Sequence, residues 1–336
     1  MDILPSPATR ALLRLAGHDA DRPSADRADL GYRVSCVVTG VGNDVYSAHG
    51  AEVCHAAWPV DAAMVAAMRA ALPEWRDHYA GTALAFALVR FGERDAGTIA
   101  ALHPWDRLAF TWRERGLDGA AVDLRIQAAG LDPLTPEQVA TIDGWLADPL
   151  AALGDTWSTV PQLLGDRMVY GTLRSNDFWP AHDELFTALL GALRPPVDVG
   201  GACQRQDDGP RWIQAPTPVH EAAGQPALVL PVLHPREGAR WIVEYELDGM
   251  PRAFEAAMSG GTWMDVPAVL AHVDALMAEL GRPERVARFA VGRDVASEWG
   301  FFALHDAVAF SALARDLAWP LVDRADVPAW SAAAPA

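Results

Sequence analysis

"WIVEYELDGMPRAFEAAM", Trp241 to Met258, is the stretch on which the fold class turns. Two runs rich in β-branched and aromatic residues flank Asp248-Gly249, and an Asp-Gly pair between alternating strands is a strong short-range signal for a tight hairpin. "DVPAVLAHVDALMAELG" follows as a helix, with Asp265 placed to cap it, Pro267 near its start and Gly281 just past its end. "RVARFAV" and "EWGFFAL" read as the next two strands, and "DAVAFSALARDLAW" as the last helix. The expected fold class is α+β, with antiparallel hairpins covered by helices.

The same order can be read near the other end. "YRVSCVV" (32–38) and "AEVCHAAW" (51–58) form an expected hairpin around the turn formers Gly40, Gly42 and Asn43. "DAAMVAAMRAAL" carries the helical stripe Met64, Val65, Met68 and Leu72, and Pro73 marks its end. "ALAFALVRF" and "GTIAAL" then read as two strands, and "HPWDRLAFTWRERG" as a helix with Pro104 in its first turn and Gly116 as its C-terminal cap. The registers agree too. Trp58 and Trp263 lie 205 positions apart, as do Met64 and Val269, Met68 and Val273, and Leu72 and Met277; Gly92 and Gly292, like Phe110 and Phe310, are 200 apart. An internal duplication of a ββαββα module is therefore expected, residues 31–116 matching 239–320.

Between the copies, "AAVDLRIQAAG" reads as a strand and "TPEQVATIDGWLADPLAAL" as a helix capped by Thr135. "RMVYGTLR" reads as a short strand and "PAHDELFTALLGALRP" as a helix, before a Pro-, Gly-, Asp- and Gln-rich linker or surface loop from Arg194 to Gln225. The 336 residues exceed what one ordinary core needs. The expected organisation is an N-terminal α+β module (1–117), a helical middle region and linker (118–225), a C-terminal α+β module (226–325) and a flexible tail (326–336).

Composition removes several chemistries. The chain has no lysine, so all 27 basic side chains are arginine. A Schiff-base lysine, a P-loop lysine, the strand lysine of a protein kinase and the S-x-x-K pair of penicillin-recognising enzymes are impossible in it. No G-x-G-x-x-G follows a strand and no G-x-S-x-G elbow occurs, so no cofactor is expected. The formal net charge of −17 disfavours nucleic acid, whose binding is carried by cationic side chains, and suits a basic protein partner. The start has no basic segment before an apolar one, and nowhere do about 18 uncharged apolar residues run together, so a soluble, cytoplasmic, bacterial-type protein with no membrane contact is expected. Cys36, Cys54 and Cys203 include no C-x-x-C pair and argue against a disulfide framework or structural zinc.

"HGAEVCH" is the densest cluster of ligand or nucleophile types. As a strand it would put His49 and His55 on one face and Glu52 with Cys54 on the other, so Cys54 and the adjacent His55 would not form a nucleophile–base pair. His-Asp recurs at His18, His182 and His305, but no further ligands assemble around these pairs, and no metal site is expected. His103 and His305 fall at strand-to-helix junctions, where capping or packing is the expected role. Four tryptophans near turns, Trp105, Trp179, Trp212 and Trp299, are candidate partner-binding rings. The leading reading is a protein-binding module, a neutralising or regulatory partner of another protein. The alternatives are a thiol/histidine hydrolase-like enzyme using His49, Cys54 and His55, and a structural homo-oligomer.

Overall fold

The computed structural model describes residues 3–39, 62–153, 160, 163–172, 181–206, 240–257, 264–290 and 299–322. Among them lie eleven α-helices and two three-stranded antiparallel sheets, an α+β architecture. No helix of the described residues is long and apolar enough to cross a membrane.

Helices α1 (Pro7–Leu15), α2 (Arg27–Thr39), α3 (Ala62–Trp75) and α4 (Tyr79–Arg90) build one core. The first half of the expected proximal hairpin is thus corrected to a helix. In α2 Leu30, Val34, Val37 and Val38 stand at i, i+4, i+7 and i+8 and are all buried, a helical stripe that outweighs the β preference of valine. "ALAFALVRF" is corrected likewise. Ala80, Ala83, Leu84, Ala87 and Leu88 form the buried face of α4, and alanine is the best helix former. Helix α3 runs two residues past Pro73, giving up the ladder bond that position would donate, and buries Trp75. "GTIAAL" lies in α5 (Ala96–Ala100) and the turn after it, with Asp95 accepting the Thr98 N–H as cap.

Helix α6 (Leu108–Glu114) starts later than Pro104 suggests but ends as expected, Gly116 adopting φ +66°. "AAVDLRIQAAG" is helix α7 (Gly119–Ala128) rather than a strand, with Val122, Ile126 and Ala129 buried at helical spacing. Helix α8 (Pro136–Ala147) opens with the expected Thr135 cap, completed by Gln138 as a reciprocal capping box.

Strand β1 (Met168–Thr172) and helix α9 (His182–Gly191) lie where expected. Strand β2 (Gly200–Gln206) falls inside the segment read as a linker and pairs with β3 (Arg240–Leu247). Strand β4 (Met250–Ala257) completes the hairpin, whose turn places Asp248 at φ 52° and Gly249 at φ 74°, the left-handed pair that Asp-Gly favours. Helix α10 (Val266–Glu279) takes its cap from Asp265 and ends before Gly281 at φ 67°; strands β5 (Glu284–Arg288) and β6 (Trp299–Asp306) and helix α11 (Ala307–Asp316) close the order. One sheet runs β1-β6-β5, the other β2-β3-β4.

The β1-β6-β5 sheet is a middle layer. Its alternating side chains Ala287, Phe289, Phe301 and Ala303 enter a core shared with Trp105, Trp112, Ile126, Ile142 and Phe310. The opposite set, Val286, Phe302 and Leu304, enters a core shared with Phe186 and Leu189 of α9, Val269 and Val273 of α10, and Val243, Tyr245 and Phe254 of the other sheet. The duplication is not confirmed: the described part of 31–116 is helical with no strand, whereas 240–320 contributes four strands. Met64, Met68 and Leu72 match Val269, Val273 and Met277 because α3 and α10 each bury one such stripe. Trp58 and Trp263 lie outside the described residues.

Glycine is required at the turn from α3 into α4. A Cβ on Gly81 would stand 2.0 Å from the Trp75 carbonyl oxygen and 2.5 Å from its carbon, and neither can swing aside as a side chain could. Gly81→Ala is expected to lower stability by at least the ~1–3 kcal/mol typical of overpacking, read as a fall in the urea midpoint. An unchanged midpoint would show that this turn gives way freely.

Candidate functional site

Five separate chain segments meet at one end of the β1-β6-β5 sheet and line a cleft of about 280 Å3. A 3-10 turn, Gly165–Arg167, delivers Arg167 at the entrance to β1. The chain leaving α9 supplies Arg194, and the turn after α10 supplies Glu284 at the start of β5. The end of β6 brings His305 and Asp306, and Gly130, just past α7, stands at φ 80° beside the His305 ring.

The charges are unequally committed. Arg282 donates to both carboxylate oxygens of Glu284 at 2.6 and 3.2 Å and to Pro195 O at 2.8 Å, and its guanidinium holds the Glu284 carboxyl below its ordinary pKa. Asp306 Oδ1 accepts the Ala309 N–H at 2.8 Å and caps α11. Both carboxylates are thereby occupied within the fold. Arg167 donates to Gly130 O at 3.0 Å, and Arg194 donates to Leu193 O at 3.0 Å and pairs with Asp166. The carboxylates nearest these two arginines are exposed: Asp166 at 74 %, and Asp132, 3.9 Å from Arg167 Nε, at 75 %. Ion pairs so open to water contribute only about 0–1 kcal/mol.

Two nitrogens in the cleft wall are unsatisfied. Arg167 Nε and His305 Nδ1 are enclosed and have no hydrogen-bond partner among the described residues. An enclosed polar group without a partner costs about 1–3 kcal/mol. Burial pushes His305 below the ordinary histidine pKa; a hydrogen bond of the ring with the Asp306 backbone opposes this, the Arg167 guanidinium adds to it, and the Asp306 and Glu284 charges oppose it.

A second feature lies on helices α7 and α8, which pack together. Residues 117–148 hold six carboxylates, Asp118, Asp123, Asp132, Glu137, Asp143 and Asp148, against the single arginine Arg125. Four of them tie down backbone: Asp118 accepts from Ala121, Asp143 from Gly119 and Asp123 from Leu134, each at 2.7 Å, and Asp148 from Leu150 at 3.1 Å. Apart from Asp132 with Arg167, none forms an ion pair among the described residues. Leu124 on α7 is 66 % exposed beside them in sequence.

The candidates from sequence fall differently. Trp105 is corrected to a core residue: it is 1 % exposed, its ring packs 5.9 Å from Phe289, and its Nε1 donates to Ala290 O. Trp299 begins β6. Trp179, Trp212, His49, Cys54 and His55 lie outside the described residues. His103 lies in the turn ahead of α6, its Nδ1 accepting the Trp105 N–H at 3.3 Å, while α6 itself starts at Leu108 without a side-chain cap. His182 is fully buried, and its Nε2 accepts the Asp265 N–H at 3.0 Å, so its proton sits on Nδ1. His18 lies beside the buried Arg33, and His272 bonds Tyr245 at 2.9 Å while stacking on Phe254. The three His-Asp pairs thus have separate roles. Among the described residues no three His, Cys, Asp or Glu side chains are grouped to hold a metal ion. No protein-family model, curated protein or solved structure matches the chain.

His18, His182, His272 and His305 are all held below their ordinary pKa of 6.5, burial being the first cause in each. The fold favours their neutral forms, whereas the unfolded chain takes up protons near 6.5. Their contribution is therefore complete above that value and is lost as pH falls below it through the lowered folded values. The urea midpoint should fall between pH 7.5 and pH 5.5, before the carboxylates titrate, with proton uptake on unfolding at pH 5.5. A flat midpoint over that interval would contradict the burial of these rings.

Proposed function

We propose that the protein is a cytoplasmic protein-binding module, a neutralising or regulatory partner that docks an acidic surface on a basic polypeptide. The observation that carries this reading is the unbalanced charge of the α7–α8 pair, six carboxylates against one arginine within a chain of net charge −17. Opposite fields raise the rate of encounter and fix register, and rim charges act chiefly on association. An exposed Leu124 amid the carboxylates supplies apolar area of the kind that ordinarily accompanies such a rim.

Glu137→Gln, Asp118→Asn and Asp148→Asn remove three charges while keeping oxygens able to accept the Ala121 and Leu150 N–H groups that Asp118 and Asp148 now satisfy. With a fluorescent arginine-rich decapeptide as the basic probe, this triple variant should associate several-fold more slowly than wild type at low salt. The difference should shrink as salt shortens the screening length to about 8 Å at physiological ionic strength. A control pair, Glu246→Gln with Glu255→Gln on the β3–β4 sheet, should change the rate far less. Equal losses in both variants would mean that net charge alone, and not this face, attracts the peptide.

A further inference from the structure

Independently of the acidic face, we propose that the cleft formed by Arg167, Arg194 and His305 binds a compact oxyanion, a phosphate or carboxylate group of a small molecule, in the space between the two guanidiniums and the imidazole.

Much of the acceptor capacity around the cleft is already engaged within the fold. Gly130 O and Leu193 O are taken by Arg167 and Arg194, Glu284 is held by two bonds from Arg282, and Asp306 is committed to the start of α11. What is left without an acceptor is Arg167 Nε, from a side chain only 19 % exposed; the enclosed Nδ1 of His305 is also without a partner and donates whenever it carries the ring proton. Among the described residues, enclosed nitrogens without hydrogen-bond partners also occur at Arg10, His18 and His182; Arg167 and His305 differ from these in lining one and the same cleft. An anionic oxygen drawn in beside Arg167 and His305 would satisfy both after a small turn of the two side chains. Arg194 also lines the cleft and can exchange its exposed partner Asp166 for a second oxygen of the ligand. Guanidinium presents paired donors that match the spacing of carboxylate and phosphate oxygens, and it cannot lose its charge on burial. A volume of about 280 Å3 admits such a group with a short carbon chain and excludes a folded polymer.

The test follows the histidine ring signals by NMR, with His305 assigned from a His305→Gln variant. Inorganic phosphate and succinate are titrated in separate arms at constant ionic strength. At least one should shift the His305 signal saturably while leaving His182 in place, and Arg167→Gln should weaken that binding at least tenfold. Saturation by phosphate alone identifies a tetrahedral oxyanion, and saturation by succinate alone identifies a carboxylate. If Arg167→Gln loses its far-ultraviolet circular dichroism, Arg194→Gln, whose side chain is 40 % exposed, replaces it as the deciding variant and should weaken binding several-fold. Two results overturn the proposal: neither anion moves His305 more than matched chloride does, or the shift survives unchanged in a folded arginine variant.

Discussion

Strand β6 is paired on both sides and buried on both faces, and most of the molecule is arranged to keep it so. Its backbone is satisfied by β1 and β5, its Phe301 and Ala303 face the core of α6, α7, α8 and α11, and its Phe302 and Leu304 face α9, α10 and the second sheet. The outer edge of β5 could still recruit a foreign strand. It is closed by Asp274 Oδ1 accepting the Val286 N–H at 2.8 Å, by the Val322 N–H on Arg288 O and by the Ala290 N–H on Pro320 O. Two indoles fasten the helical part of the chain to this layer. Trp105 donates to Ala290 O, and Trp112 donates to Leu317 O at 2.6 Å, so each supplies both buried area and a partner for a main-chain oxygen.

This arrangement explains which parts of the fold were legible in the sequence. "GFFAL" is a continuous apolar run, as a strand covered on both faces must be, and Asp248-Gly249 leaves few alternatives to a hairpin. Both were readable because their cause is local. In the proximal half the valines and an alanine-rich run suggest strands, whereas Leu30, Val34, Val37 and Val38 bury at helical spacing against α4. The apparent repeat came from the same source: two helices that each bury every fourth residue resemble each other whatever surrounds them. Strand β2 escaped notice because "GGACQRQ" has neither alternation nor β-branched residues; it is held by pairing with β3.

The cleft was almost wholly illegible. Arg167, Arg194, Glu284 and His305 come from four segments with no spacing rule between them, and the only local trace was the His305-Asp306 pair, read as a junction. Their proximity depends on β1 joining β6, a pairing between strands far apart in the chain. The acidic α7–α8 pair, by contrast, is written in composition, but the packing of its two segments as neighbouring helices is not.

A chain whose every basic side chain is arginine has to place permanent cations wherever it uses one. Arg33 shows the cost being met without a counter-ion bond: it is 4 % exposed and donates to Arg22 O at 2.8 Å, to Ser24 Oγ at 3.0 Å and to Asp19 O, so carbonyl and hydroxyl oxygens replace its water. Arg167 has only Gly130 O in that role, with Nε unmet. The difference separates the two surfaces physically. Exposed carboxylates on α7 and α8 act through solvent over about a screening length and weaken with salt, whereas a half-enclosed guanidinium with an unused donor acts at contact and is screened far less. An acidic protein can therefore repel anions at long range and still hold one in its cleft, because the first effect governs how often an anion arrives and the second how long it stays.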